Sequence, residues 1–365
     1  MSDIVLSASV RQNLLSLQST ADLLSTTQNR LATGNKVNSA LDNPTNYFTA
    51  QGLNSRASDI NNLLDGIGNG VQVLQAANTG ITSLQKLVDT AKSIANQALQ
   101  TNSGYTTKSS VAYTGAGAGT GAATADDLTG GGGAGGSKLT GSAFVFTTEA
   151  GAKTITIDGT TVKSLADLNK ALSSNGVSLT ASLTGANELT FTSTNDSAGQ
   201  TITTATTAAA AGTITGDAIE ISIAAASATA GSVTAAVPDA VSQSNRASLV
   251  SQYNQILDQI KTTAQDSSFN GVNLLNGDQL KLVFNETGKS TLTIQGVTFD
   301  PAGLGLNTLT AGTDFVDNFM TNKVLTSLNN ASSTLRSQAS TLGSNLSIVQ
   351  IRQDFSKNLI NVLQT

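Results

Sequence analysis

VRQNLLSLQSTADLLSTTQNRL (residues 10–31) contains the clearest structural pattern in the N-terminal part of the chain. Apolar or small residues recur in it at alternating steps of four and three, and one member of the series is polar. This spacing is the heptad seam of a helix that packs lengthwise on another helix. The pattern therefore predicts a long helix that needs a partner. The seam consists of Val10, Leu14, Leu17, Ala21, Leu24, Gln28 and Leu31.

A second long helix is predicted from Pro44 to about Gln100, because Asn43 is a favoured N-cap and proline a favoured first helical residue. An apolar stripe with helical spacing runs from residue 60 to residue 98. At 1.5 Å per residue the helix would be about 85 Å long, which makes a rod rather than a globule. Three glycines interrupt the stripe, each costing about 1 kcal/mol relative to alanine, so tertiary packing is expected to support it. They are Gly66, Gly68 and Gly70.

Helix is predicted to return at about Asp239 and again near the C-terminus. Between the two, alternating apolar residues on either side of the turn at 286–289 predict a β-hairpin, with Val297 and Phe299 continuing its second strand. The last stripe runs from Leu325 to Val349 and is predicted to continue through Ile351, Phe355, Leu359 and Val362.

The middle of the chain is rich in Ala, Gly, Thr and Ser, and residues 114–136 are of low complexity and predict a loop. Strands are predicted at 144–146, 154–157 and 189–192, with a short helix at 165–172 that Asn175-Gly176 ends. A small core is expected from Phe144, Phe146, Ile155, Ile157 and Phe191. The fold class is therefore α+β and multidomain: long helical coiled-coil or bundle ends with a β-hairpin, and a β-rich central insertion.

Composition excludes several functions. Among 365 residues there is no His, Cys or Trp, which removes thiolate and imidazole catalysis and the usual ligands of Zn, Cu or haem. We expect no catalytic site, no metal and no cofactor. The sequence contains no basic patch of the kind that binds nucleic acid. It also contains no apolar run of about 18 residues, which a membrane-spanning helix would need. The net charge of −5 falls entirely within residues 101–245, and we expect those charges to face water.

Two motifs are weak candidates for sites. Residues 130–135 formally satisfy G-x-G-x-x-G, but no strand directly precedes them and no helix start follows, so a linker is favoured. Asp126-Asp127 and the pair Asp314 and Asp317 are candidate acid–base carboxylates. A simpler interpretation of Asp314 and Asp317 is that they lie at the start of a helix, where negative charge is favourable.

Three stretches of the sequence resemble flagellin, the subunit of the bacterial flagellar filament, and their details look alphaproteobacterial. The resemblance covers about 1–100 and 246–365, and it rests on residues 29–42, residues 269–275 and the terminal stripe ending Arg352-Gln353-Asp354-Phe355. Its signature residues are Arg30, Leu31, Gly34, Asn38, Ser39, Ala40, Asp42, Phe269, Asn270, Gly271, Asn273, Leu274 and Leu275.

The resemblance implies a non-enzymatic, extracellular subunit that polymerises for swimming motility. It implies export in unfolded form through the flagellar type III apparatus, which fits the lack of a cleavable signal peptide, and partners among copies of itself and the hook-associated and cap proteins. The implied division is a filament-core helix and spoke (1–43), a helical rod (44–100), a surface insertion (101–245), a returning helix with the hairpin (246–312) and a C-terminal rod helix (313–365).

One departure concerns the C-terminus. Relatives continue into a further arm that pairs with the N-terminal seam, whereas this sequence stops at Thr365. The expectation is a truncated chain or a shortened paralogue, in which Leu14, Leu17, Leu24 and Leu31 lack an intramolecular partner. An export chaperone that grips that arm is then a doubtful partner, and residues 1–365 alone are not expected to form normal filaments.

A second departure concerns host recognition. Residues 84–91 align with the segment that many flagellins present to an animal innate receptor, and residues 29–50 with an epitope sensed by plants. Arg, Arg and Leu of relatives are replaced by Lys86, Val88 and Thr90, and losing a guanidinium removes a planar donor. We therefore predict poor recognition by both receptors. The alternative, which stays open, is that these residues simply pack a helix and a loop. The receptor-like positions are Gln85, Lys86, Val88, Asp89 and Thr90, and the plant-epitope differences are Leu41, Asn43 and Pro44.

Two other functions stay open. The hook-filament junction protein shares the helical ends, although the complete motif at 269–275 followed by a hairpin favours flagellin. A surface adhesin would bind through the Thr/Ser-rich insertion, and the isolated segment 101–245 would then show binding.

Overall fold

The computed structural model describes residues 8–101, 104–115, 121–130, 137–185, 187–205, 214–223 and 228–364. Within these residues the chain forms five helices and twelve strands. Their bounds are α1 (Ala8–Thr33), α2 (Pro44–Gln100), β1 (Tyr105–Thr107), β2 (Ser110–Gly115), β3 (Ala143–Thr148), β4 (Gly151–Thr156), α3 (Leu165–Ser174), β5 (Leu179–Gly185), β6 (Glu188–Ser193), β7 (Thr201–Ala205), β8 (Ala218–Ile223), β9 (Ala228–Thr234), β10 (Val237–Pro238), α4 (Ala240–Asp266), β11 (Gln279–Val283), β12 (Thr291–Gln295) and α5 (Asn318–Gln364).

A helical rod forms where α2, α4 and α5 pack side by side. The helix predicted from Pro44 is confirmed: the Asn43 side chain accepts a hydrogen bond from the backbone N–H of Asn46 at 3.0 Å and so caps α2. The predicted stripe of α2 faces the other two helices and is almost wholly buried. Burial of this stripe stabilises a helix that its glycines would otherwise weaken.

The hairpin of β11 and β12 lies along α2 and closes one side of the rod. Leu280, Leu282 and Ile294 are buried as the alternation predicted, and Leu292 is half-buried against the same core. Leu282 contacts α2 where Gly70 leaves room for it. The prediction fails at Val297, which is 43% exposed because the second strand ends at Gln295. Phe299 returns to the core after that irregular stretch.

Two glycines of α2 provide a matched test of the packing. A Cβ at Gly80 would lie 2.6 Å from Leu275 Cδ1 and 2.7 Å from Ser267 Cβ, whereas a Cβ at Gly66 would meet nothing within 4 Å. We expect Gly80→Ala to lower the free energy of unfolding by about 2 kcal/mol through overpacking. Gly66→Ala should raise it by about 1 kcal/mol through helix propensity. Urea denaturation followed by circular dichroism measures both; equal effects of the two changes would contradict this packing.

The insertion contains two four-stranded sheets, ordered β5-β6-β2-β9 and β4-β3-β8-β7, in which only the described pair β7 and β8 is parallel. The short strands β1 and β10 pair where the chain enters and leaves the insertion. The predicted strands and the short helix are confirmed, and all five predicted core residues are buried. Tyr113 joins their ring cluster and donates a hydrogen bond to the Ile221 carbonyl at 3.0 Å.

The loop predicted at 114–136 is only partly described, since residues 116–120 and 131–136 lie outside the described residues. Where the chain is described, β2 extends to Gly115 and Leu128 is buried in the core of the insertion. The Gly-rich G-x-G-x-x-G match falls almost entirely outside the described residues. The α+β fold class predicted from the sequence is confirmed.

Candidate functional site

Helix α1 carries an apolar seam that nothing in the described chain covers. None of its residues is buried, and the large seam residues Val10, Leu14, Leu17, Leu24 and Leu31 are between 46% and 84% exposed. Ala21 and Gln28 are exposed as well. Long helices in water usually depend on packing of an apolar face, so this seam is a surface that remains to be buried.

Two further leucines of α1 lie away from the seam. At about 100° of rotation per residue, Leu15 and Leu23 project from the opposite side of the helix. They are 66% and 69% exposed, much like their sequence neighbours Leu14 and Leu24. The helix therefore contains paired leucines of similar exposure that differ in the face they occupy.

The signature loop between α1 and α2 is held by its own polar groups. Gly34 has a φ of 70°, a conformation that favours glycine. The carboxylate of Asp42 accepts hydrogen bonds from the backbone N–H of Asn38 at 3.1 Å and of Ser39 at 3.0 Å. These backbone donors lower the pKa of Asp42. The signature residues of this loop thus fix a turn, while Arg30, Leu31 and Leu41 stay exposed.

The C-terminal part of α5 presents a second apolar face. The predicted stripe is buried or half-buried as far as Val349, and the helix continues to Gln364 as predicted. Of the predicted continuation, Leu359 is half-buried against the start of α2, but burial was predicted wrongly for Ile351, Phe355 and Val362, which are 66–73% exposed. The buried residues of this part of α5 are Ser356 and Ile360. Ile360 packs against Ala57 and Ile60 near the start of α2. The helix end therefore has one face covered by α2 and another, at heptad spacing, that faces solvent.

The motif at 269–275 ends α4 and starts the hairpin. Asn270 and Gly271 both have positive φ, and Phe269 and Val272 exchange two backbone hydrogen bonds of 3.0 Å around them, as in a two-residue β-turn. Asn273 donates to the carbonyls of Ala264 and Gln265, both at 2.8 Å. Leu274 and Leu275 then enter the rod core.

Asn273 is expected to contribute strongly to stability. Its side chain donates hydrogen bonds to two carbonyls at the end of α4 and accepts one from the Leu275 N–H at 2.9 Å. The residue is only 6% exposed. Asn273→Ala leaves these groups without their partner and should lower the free energy of unfolding by about 2–3 kcal/mol. Asn270→Gly, which keeps the positive φ, is the control and should be nearly neutral. Unfolding of both variants in guanidinium chloride measures these changes in stability. An Asn273→Ala variant as stable as wild type would contradict the contribution assigned to Asn273.

The receptor-like segment is part of α2. Val88 is fully buried in the rod core, so a partner cannot touch that side chain in the folded chain. Lys86, Asp89 and Thr90 are exposed and Gln85 is half-buried. Packing therefore accounts for Val88, and the prediction of poor recognition rests on the exposed positions.

The junction between rod and insertion contains a buried arginine that no pattern in the sequence predicts. Arg246, on α4, is 1% exposed and donates to the carbonyls of Phe315 at 2.7 Å and Thr101 at 2.9 Å, and to Asn318 Oδ1 at 3.3 Å. It thereby joins the end of α2, α4 and the start of α5. Burial lowers the pKa of Arg246, and the charge of Asp317 acts in the opposite direction.

Two acidic side chains meet at the same junction. Asp317 is confirmed at the start of α5, where its Oδ1 accepts from the Met320 N–H at 3.0 Å, and it is fully buried. Asp217, from the insertion, has both oxygens buried, which corrects the expectation that all charges of the insertion face outward. Burial and then the neighbouring Asp317 raise the pKa of Asp217 well above its usual range. Asp314 instead accepts from the Thr310 N–H in the preceding loop.

Other kinds of site find little support in the described residues. They contain no group of three or more His, Cys, Asp or Glu side chains placed to hold a metal ion. In the same part of the chain, no helix combines the length and the apolar character needed to cross a membrane. Asp127 contacts Lys163 and the Thr129 hydroxyl beside a turn, while Asp126 is exposed.

Residues 5–114 match the family described as the bacterial flagellin N-terminal helical region. A flagellar cap protein from Escherichia coli, solved as its D1-D2-D3 domains, matches with 12% identity over 76% of this chain and 99% of that chain. Its TM-score of 0.16 is too low for an argument from shape. No curated protein sequence matches the chain significantly. The flagellin resemblance is thus confirmed over residues 5–114, a segment typical of a structural protein of the bacterial flagellum.

Proposed function

We propose that this chain is a structural subunit of the bacterial flagellar filament and that the α1 seam is buried when it assembles. The observation that carries the proposal is that all seven seam positions of α1 are exposed while the rod core is complete without them. Burying one leucine side chain contributes about 1.5–3 kcal/mol, so several along one seam favour association. A heptad seam selects another helix as its partner.

The second exposed face supports the same proposal. Ile348, Ile351, Phe355 and Val362 lie on the part of α5 that packs on the start of α2, and Phe48 and Leu53 of α2 are exposed in the same half of the rod. The acidic insertion joins the opposite end of α2 and α5. This division suits a polymer that buries its apolar end among subunits and exposes its charged end.

The family match supports the setting of the proposal. We infer an extracellular location in the flagellum, export through the flagellar type III apparatus, and contacts with hook-associated and cap proteins at the filament ends. In this proposal residues 1–43 form the filament core and spoke, residues 44–100 and 246–365 form the rod, and residues 101–245 form the outer surface.

The experiment is immunogold electron microscopy of flagellated cells that express this chain with an epitope tag in the exposed loop at Gly141. Label along the whole filament is the expected result. A single band at the filament base would identify a junction protein instead, and label on the cell surface without flagella would favour an adhesin. Either of those two patterns would overturn the proposal.

A further inference from the structure

The junction between rod and insertion holds buried oxygen atoms that lack a well-formed hydrogen bond, although Asp217 lies close enough to Asp317, Ser197 and Gln200 for weak ones. They are Asp217 Oδ1 and Oδ2, Asp317 Oδ2, Ser197 Oγ and Gln200 Oε1. Ser197 and Asp317 are fully buried and Gln200 is 5% exposed. Buried polar atoms nearly always have a partner, and each unpaired one costs about 1–3 kcal/mol. Five such atoms in one region therefore need an explanation.

These side chains form one cluster. The carboxyl of Asp217 adjoins the side chains of Asp317, Ser197 and Gln200. The turn from Ser197 to Gln200 places two of them beside Asp217, whose backbone carbonyl accepts from the Thr201 N–H at 3.0 Å. The ring of Tyr105 lies against Gly199 on the same turn. Three separate parts of the chain, namely this turn, the residue before β8 and the start of α5, thus supply the cluster.

The charges of the cluster are not balanced. Asp217 and Asp317 carry two negative charges when ionised, and Arg246 beside Asp317 supplies one positive charge. Tyr105 is the other titratable group that faces the pair. Two carboxylates in contact repel each other unless positive charge lies between or beside them or one of them binds a proton.

We propose that this junction binds a Ca²⁺ ion through the carboxylates of Asp217 and Asp317, with Ser197 and Gln200 supplying neutral oxygens. Calcium takes six to eight oxygen ligands in flexible geometry, including carboxylates and side-chain amide carbonyls. An amide such as that of Gln200 can turn its oxygen toward a cation. Asp217 and Gln200 also line a cavity of about 320 Å³, through which an ion and its remaining water ligands reach the cluster.

Calcium bound here would join the insertion to the rod. Asp317 directly precedes α5 and caps it, while the other three ligands belong to the insertion, so the ion bridges rod and insertion. Direct contacts already cross this boundary, among them Lys323 to Glu149 at 2.6 Å and Asn318 to Asp196 at 3.0 Å. The inference depends on the junction alone and holds whether or not the chain assembles into filaments.

The test is thermal unfolding and isothermal titration calorimetry of the full chain in chelator-treated buffer at pH 7.5 and constant ionic strength. Calcium should raise the Tm by about 5 °C at saturation, with one ion bound per chain and a Kd of about 10⁻⁴–10⁻³ M. Magnesium, which needs stricter geometry, should give a much smaller shift. Calorimetry of the unmodified chain needs no variant, so it remains decisive even where a variant fails to fold.

Asp217→Asn and Asp126→Asn are the matched variants, because each removes one carboxylate of the insertion. Asp217→Asn should lose the calcium response and keep or exceed the wild-type Tm in calcium-free buffer, since the amide can donate to Asp317. Asp126→Asn should keep the full calcium response, because Asp126 is exposed. No calcium heat at 10 mM would overturn the proposal, and so would an unchanged response in Asp217→Asn. Stabilisation by mild acid without any response to calcium would show that a shared proton satisfies the pair, and would also overturn it.

Discussion

Arg246→Met is expected to lower the free energy of unfolding of the helical rod by about 3–5 kcal/mol, the range found when one partner of a buried charged network is removed. The guanidinium is 1% exposed and satisfies the carbonyls of Thr101 and Phe315, which lie far apart in the sequence. Methionine fills similar volume but leaves both carbonyls without their donor and removes the positive charge near Asp317.

Two further variants make the result specific. Arg246→Lys keeps the charge but cannot span three acceptors with one planar group, so about half of the loss should remain. Arg336→Met changes an exposed arginine on α5 and should stay within about 0.5 kcal/mol of wild type. Urea denaturation followed by circular dichroism at 222 nm compares the three. An Arg246→Met curve that superimposes on that of Arg336→Met would contradict the role assigned to this residue.

Local sequence signals predicted the elements that depend on local chemistry. Asn43-Pro44 marks the start of α2 because the cap and the first helical turn are formed by neighbouring residues. The hairpin and α3 were predictable for the same reason, since alternation, helical spacing and the Asn175-Gly176 stop are all visible within about ten residues. Aromatic and β-branched residues marked the strands that form the core of the insertion.

Several strands of the insertion gave weaker signals. Residues of β5, β7 and β9 are largely Ala, Thr, Ser and Gly, which form strands only because neighbouring strands pair with them. The parallel pairing of β7 with β8 depends on contacts that periodicity does not encode. Strand identity here is therefore set by the sheet rather than by the segment.

The end of α5 shows why a stripe alone can mislead. Apolar residues occur there in two series, one through Val349 and Ile360 and another through Ile351, Phe355 and Val362. Both have helical spacing, and only packing on α2 decides which series is buried. Arg246 and Asp217 were missed for a related reason: charged residues are expected at the surface, and their burial depends on partners far away in the sequence.

Leu14→Ser combined with Leu24→Ser is expected to abolish incorporation of the chain into flagellar filaments. Both residues lie on the α1 seam, and neither is buried in the subunit, so the subunit itself should fold normally. If each leucine contributes about 2 kcal/mol to helix pairing, the double change weakens it by about 4 kcal/mol, which is several hundredfold in affinity.

The control is Leu15→Ser combined with Leu23→Ser, which has the same composition and removes two leucines from the opposite face of α1. Circular dichroism and thermal unfolding should not distinguish the two double variants from wild type in the rod and insertion, because α1 adds no residue to either core. Equal secretion of the variants is checked by immunoblot of the culture medium.

Burial of the α1 seam is tested by the density of immunogold label along filaments from cells that express each of these tagged double variants. Burial of the seam on assembly predicts at least a tenfold loss of label for Leu14→Ser/Leu24→Ser and label within twofold of wild type for Leu15→Ser/Leu23→Ser. Equal label for both variants, or a loss that is greater for the off-seam pair, would contradict the claim that the α1 seam is the surface buried on assembly.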